Sequence, residues 1–356
     1  MTTSSSDTTN PPAAGPAFRA LALQIQTRAV NGLGRDDARA AMAEAIARIG
    51  RQAGAAVAWH GRDVRLVVLP EYVLSGFPMG DTVAGWADLV GLESDGPEYD
   101  ALGAIAQSLG VYLAGNSYEL DPNFADLYFQ ASWIIDPSGD VVLRYRRLHS
   151  LYSPSPYDVW DRYLELYGID AVLPVARTEL GALAAIASEE ILYPELSRAL
   201  ALRGAEVIVH STSEVSSPDL TPKAIARRAR AIENTAYVVS CNSGGLAGIG
   251  IPADSTNGGS EILDFAGRPL ARAGAGESVV ACAELDLSVL RRERSRPGMG
   301  NLLSRTKTAL WAQEYARHDV ERPGGLLVDG ARPERSYFGA RQREVLDRLH
   351  AAGVLS

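Results

Sequence analysis

Between residues 18 and 295, short apolar runs alternate with helical patterns, and that order limits what the chain can fold into more than any other feature. Strands joined through helices build layered α/β folds in which sheets are covered by helices. "FRALALQIQT" (18–27) reads as a strand, and "DDARAAMAEAIARIGRQAG" (36–54) sets Ala38, Ala41, Met42, Ala45, Ile46 and Ile49 at helical spacing, with Asp36 or Asp37 as its expected cap. Further strands are expected at 64–71 and 111–120, with a helix at 99–110 ended by Gly110. "FQASWIIDPSGDVVLRYRRLH" (129–149) reads as a hairpin turning at Pro137-Ser138-Gly139-Asp140. "SEILDFAGRPLARA" (260–273) reads as another, turning at Phe265-Ala266-Gly267-Arg268.

Flanking segments differ in character. Residues 1–17 are Ser/Thr/Pro-biased and read as a disordered tail, leaving one domain over 18–319. Residues 320–356 form a C-terminal extension carrying Leu326, Leu327, Val328, Tyr337, Phe338, Val345 and Leu346. That is more apolar surface than a free tail exposes, so the extension is expected to pack across a partner subunit.

Several function classes are disfavoured. With 43 acidic against 34 basic side chains, the net charge of −9 repels phosphate backbones, and no nucleic-acid partner is expected. No run approaches the ~18 apolar residues that span a bilayer, and the N-terminus lacks the pattern of a secretory signal. A cytoplasmic protein without a membrane partner is expected. Cys241 and Cys282, both in apolar strand-like runs, read as reduced core thiols. His60, His149, His210, His318 and His350 show no ligand spacing, so neither a metal nor another cofactor is expected. "GGLAGIG" (244–250) reads as a turn, not a phosphate loop.

Polar groups at strand ends carry the chemistry of open α/β layers. Glu71 ends "RLVVLP", Arg147 ends "VVLRYR", and Ser188 ends "ALAAIA". Alone, each has an ordinary reading as a turn cap, a solvated base or a helix cap. Together, "VVLPEYVLSGF", "YRRLH" and "ASEEILYPELSRALALRGAEVI", with "RARAIENTAYVVSCNSGG" and "GGSEILDFAGRPLA", resemble the motifs of the nitrilase superfamily of carbon–nitrogen hydrolases. The resemblance covers about residues 18–295. It implies a four-layer α-β-β-α sandwich, assembled as a homodimer or higher homo-oligomer.

Two departures stand inside the resemblance. Ser188 falls where the family places its nucleophilic cysteine, and Arg147 where it places its catalytic lysine; Glu71 keeps the general-base position. A hydroxyl is harder to ionise than a thiol by about 7 pKa units, or roughly 10 kcal/mol were full ionisation required, so Ser188 needs concerted proton removal. Arg147 still presents donors to an oxyanion but gives up no proton near neutral pH. The resemblance further implies substrate contacts from Glu190 in the turn after Ser188 and from an acid near Asp158, Asp161 or Glu165; Ser213, ending "VIVHSTS", is a third candidate. Two classes of function are expected: hydrolysis or acyl transfer at a small-molecule amide, nitrile or carbamoyl C–N bond through Glu71, Arg147 and Ser188, or a catalytically inactive descendant with a ligand-binding or assembly role.

Overall fold

A computed structural model describes residues 17–355 apart from 126, 216, 218, 219, 319 and 327–333. The expected N-terminal tail thus falls, but for Ala17, outside the described residues, as do Leu327 and Val328.

Two six-stranded mixed sheets face each other. The first contains β1 (Phe18–Ala22), β3 (Val64–Val68), β4 (Tyr112–Leu120), β5 (Tyr128–Ile135), β6 (Val141–Arg146) and β14 (Cys282–Leu285), in the order β14-β1-β3-β4-β5-β6. The second contains β7 (Ala176–Thr178), β8 (Gly181–Ala187), β9 (Val207–Thr212), β10 (Tyr237–Asn242), β12 (Glu261–Leu263) and β13 (Pro269–Arg272), in the order β13-β12-β10-β9-β8-β7. A short ribbon pairs β2 (Thr27–Arg28) with β11 (Leu246–Ala247). Strands β1, β3 and β4 run parallel, as do β8, β9 and β10, while antiparallel strands close the edges. Parallel strands buried on both faces are nearly all apolar, which explains runs such as "ALAAIA".

Alternation along the strands sorts side chains into two cores. Ala20, Ala22, Leu66, Val68 and Ala114 share one core with Ala184, Val209 and Val239 of the facing sheet. Their neighbours Leu21, Val67 and Leu113 share the other with Met42 and Ile49 of α1 (Arg35–His60) and with Leu102 and Ala106 of α3 (Pro97–Leu109). Helix α2 (Val83–Val90) packs beside them. On the opposite side lie α5 (Pro194–Leu202) and α6 (Pro222–Asn234), completing the four layers. Gly110 ends α3 in the left-handed conformation at φ 66°, and both expected hairpin turns form, held by Asp136 and Asp264 side chains that accept backbone N–H bonds.

One expectation is corrected. The cap of α1 is Gly34, and Asp36 and Asp37 sit in the first turn, where their charge favours the helix N-terminus. The C-terminal extension docks on its own chain: Leu326 and Phe338, the latter in α9 (Arg335–Ala351), are buried in the α1-side core. Leu326 N donates to Asp158 O (3.2 Å) and Gly324 N to Tyr157 O (2.7 Å), so carbonyls of the 3₁₀ turn Pro156–Val159 hold the start of the extension. Among the described residues no helix is long and apolar enough to cross a membrane.

Candidate active site

Ser188 stands at the turn between β8 and a short 3₁₀ segment (Ser188–Leu192), with φ +50°. A non-glycine residue in that region costs of order 1–2 kcal/mol and persists only where its surroundings impose it. Here His210 of β9 imposes it. The His210 Nε2 lies 2.8 Å from the Ser188 carbonyl oxygen, and Nδ1 lies 2.9 Å from Ser240 Oγ. The side chain of Ser188 caps no helix; its Oγ accepts a hydrogen bond from Lys223 Nζ at 3.0 Å.

Burial pushes the His210 pKa down to about 3, although the bond to Ser188 opposes the shift. The folded protein therefore refuses a proton that the unfolded chain takes up near pH 6.5. Stability present above pH 6.5 is lost as the pH falls toward 3, with a slope of about 1.4 kcal/mol per pH unit from this group. His210→Phe should lower stability at pH 7, because two buried partners lose their bonds, yet flatten the loss between pH 6 and 4. Denaturation curves with an unchanged acid slope would refute this role.

Glu71 follows β3 and is 2% exposed. Gln130 Nε2 (2.8 Å) and Arg147 Nη1 (3.2 Å) both donate to its Oε1. Asn116 Oδ1 accepts from Gln130 Nε2 (2.9 Å) and from the Tyr72 backbone N–H (3.1 Å), tying the loop after Glu71 to β4 and β5. Burial pushes the Glu71 carboxyl above the usual range, while Arg147 and Lys223 pull it back. Arg147 also donates to Gln130 Oε1 (2.6 Å) and His149 O (2.7 Å), and pairs with Glu189 through Nη2. Its own burial opposes the charge, but Glu189, Glu71 and Glu190 more than compensate and hold it firmly cationic.

Glu71, Arg147 and Ser188 line one cavity of about 460 Å³. Ser213 lines it too, its Oγ buried without a hydrogen bond. Phe77, Pro78, Met79, Leu151, Tyr152 and Ile251 supply an apolar wall. The docked extension reaches the rim, where the Arg335 guanidinium lies 4.4 Å from the Tyr152 ring centroid.

Two expected substrate contacts are engaged elsewhere. Glu190 is fully buried, and its Oε1 accepts from Tyr145 OH (2.7 Å), Leu148 N (2.8 Å) and His149 N (2.9 Å). It clasps the Arg147 loop to the Ser188 turn and does not line the cavity. Asp158 accepts from Ser155 N (2.8 Å) and Oγ (2.7 Å), holding its own 3₁₀ turn (Pro156–Val159). Asp161 and Glu165 are exposed on α4 (Trp160–Tyr167). Cys241 is buried outside the cavity with its thiol pushed up by desolvation, which makes it inert core. Among the described residues no cluster of three or more potential metal ligands forms.

The carbon–nitrogen hydrolase family profile matches residues 29–294. The chain belongs to that family. Among curated carbon–nitrogen hydrolase relatives, a formamidase of Pseudomonas syringae pv. tomato is 28% identical over 240 residues, which are 66% of this chain and 64% of that protein. A formamidase of Bradyrhizobium diazoefficiens is 27% identical over 255 residues, 70% of this chain and 67% of that one. The first match thus spans just under two thirds of its relative's length. Solved family folds superpose well: Nit3 of Saccharomyces cerevisiae, a nitrilase-superfamily member, gives a TM-score of 0.61 at 21% identity over 79% of this chain and 94% of its own. A carbon–nitrogen hydrolase of Helicobacter pylori G27 gives 0.62 at 18% identity over 84% and 98%. An amidase from Nesterenkonia sp. gives 0.58 at 18% identity over 85% and 97%.

Proposed function

We propose that this protein hydrolyses a small-molecule amide through an ester intermediate on Ser188. What supports the reading above all is the meeting of Glu71, Arg147 and Ser188, from three separate strand ends, in one cavity. Ser188 supplies the attacking oxygen. Arg147, whose charge is fixed by Glu71 and Glu189, sets a cation against the oxyanion of the tetrahedral intermediate. Glu71, its carboxyl pushed above the ordinary range by burial, holds Arg147 in place through the contact at its Oε1. Nitriles and carbamoyl compounds fit the same acyl chemistry, as does transfer to an amine in place of water.

The substrate class follows the relatives, two of which are named formamidases, but the cavity accommodates much more than formamide. Its apolar wall suits an aliphatic or aromatic acyl group. Burying each methylene contributes about 0.8 kcal/mol, so kcat/KM for hexanamide should exceed that for formamide by about 100-fold or more. A panel of aliphatic, aromatic and carbamoyl amides, nitriles and esters tests the reading directly. Turnover of none of them, with a rise in melting temperature on adding a small acid or amide, would instead establish a binding role.

A further inference from the structure

Lysine is almost absent from this chain: of 34 basic side chains only Lys223 and Lys307 are lysines. One of the two reaches the serine of the cavity. Lys223 is the second residue of α6, whose first turn is capped by Thr221 accepting from Ala224 N at 3.1 Å. Arg230, two turns further along α6, donates to the carbonyls of Ile191 and Leu192 at 3.0 Å each, clamping the helix to the segment that begins at Ser188. The lysine is therefore delivered by a rigid element fastened to the turn it serves. Its Nζ contacts Ser188 Oγ at 3.0 Å and Thr212 Oγ1 at 3.4 Å, and no carboxylate forms an ion pair with it among the described residues. Glu71, by contrast, makes no hydrogen bond to Ser188; its Oε1 is held by Gln130 and Arg147.

We propose that Ser188 and Lys223 form a catalytic dyad in which the lysine amine carries the proton for acyl transfer. The proposal rests on the amide-hydrolase reading and assigns the proton carrier that an arginine at position 147 is unable to be. In the first half, the Lys223 amine takes the Ser188 hydroxyl proton as Oγ bonds to the carbonyl carbon and the carbonyl oxygen becomes the oxyanion. Collapse breaks the C–N bond, and the Lys223 ammonium returns the proton to the leaving nitrogen. In the second half, water gives a proton to Lys223 as its oxygen bonds to the acyl carbon. The ester C–Oγ bond then breaks, and that proton goes back to Ser188.

A fluorophosphonate probe tests the dyad without any knowledge of the substrate. Its P–F bond breaks as the Oγ–P bond forms, fluoride leaves, and Lys223 takes the proton. Intact mass and peptide mapping should show one adduct, on Ser188, with a labelling rate that climbs with pH. Lys223→Met and Lys223→Arg should each slow labelling by about 100-fold or more, the range for loss of a general base. The arginine variant keeps the charge and guards against failure of the methionine variant to fold, with circular dichroism as the check. Wild-type labelling rates in the folded variants, a rate flat with pH, or absence of an adduct on Ser188 would each overturn the dyad. Labelling that depends on Lys223 in a protein that turns over no amide would uphold the dyad and remove the amide as substrate, so the two claims fail separately.

Discussion

Ser188→Ala is expected to abolish the proposed amide turnover, lowering kcat by about 10⁴-fold or more, while the melting temperature and near-UV spectrum stay close to wild type. The size follows from loss of the attacking atom itself, since a nucleophile and its base act as a unit and removal of either disables both. The small effect on the fold follows from geometry. Alanine meets the same left-handed backbone at φ +50°, so the strain is unchanged, and what is lost is the hydrogen bonding of the hydroxyl with Lys223 and with the Glu189 carboxyl, about 1 kcal/mol per bond. Ser188→Gly provides the inner control. It removes the nucleophile equally but relieves the backbone, and should be more stable than the alanine variant by about 1 kcal/mol. Retained activity in both variants would place the nucleophile elsewhere.

The second large effect is on stability. Arg147→Met leaves Glu71 buried with Gln130 as its only side-chain hydrogen-bond partner among the described residues and frees Glu189 from its ion pair with Arg147. Removing one partner of a buried pair strands the other charge, at a cost of about 3–5 kcal/mol. Desolvation already holds the Glu71 carboxyl above the ordinary range, and without Arg147 its main opposing influence is gone. Glu71 should then bind a proton at higher pH, which relieves part of the loss in mildly acidic buffer. Urea denaturation of Arg147→Met at pH 7 and pH 5 reads both effects. The deficit relative to wild type should shrink at the lower pH, and the double variant Arg147→Met with Glu71→Gln should recover stability that Arg147→Met alone has lost. A deficit under 1 kcal/mol at pH 7 would show that the pair is solvated and contributes little to the fold.

Some of the site is written locally. The apolar runs ending at Pro70, Arg146 and Ala187 place Glu71, Arg147 and Ser188 at strand ends, the first two on one sheet and the third on the facing sheet, and the packing of the two sheets brings these ends together. The two hairpins are equally local: each depends on one aspartate and one glycine within five residues, Asp136 with Gly139 and Asp264 with Gly267. The layered α/β class likewise follows from strand and helix periods of 2 and 3.6 residues, whereas the four-layer arrangement was implied by the resemblance to the nitrilase superfamily.

Other parts are settled by distance alone. Glu190 lies two residues after Ser188, where spacing alone marks it as a pocket acid, yet a hydroxyl and two amides 41 to 45 residues upstream claim its Oε1. Asp158 is claimed by its own turn, and that turn in turn receives the C-terminal extension, a contact across more than 160 residues that apolar content alone had pointed toward a partner subunit. Lys223 is 35 residues from Ser188 and sits in no motif, so only the packing of α6 on the Ser188 turn reveals the pair. Its rarity, one of two lysines among 34 basic residues, was the signal in the sequence. The sequence by itself determined which residues end strands, because local periodicity and turn chemistry act over a few residues. Which of those residues share a cavity, which are consumed as structural clamps, and which cation meets the serine were decided by tertiary structure, because hydrogen bonds and burial are set by the distance between atoms in space, not by their separation along the chain.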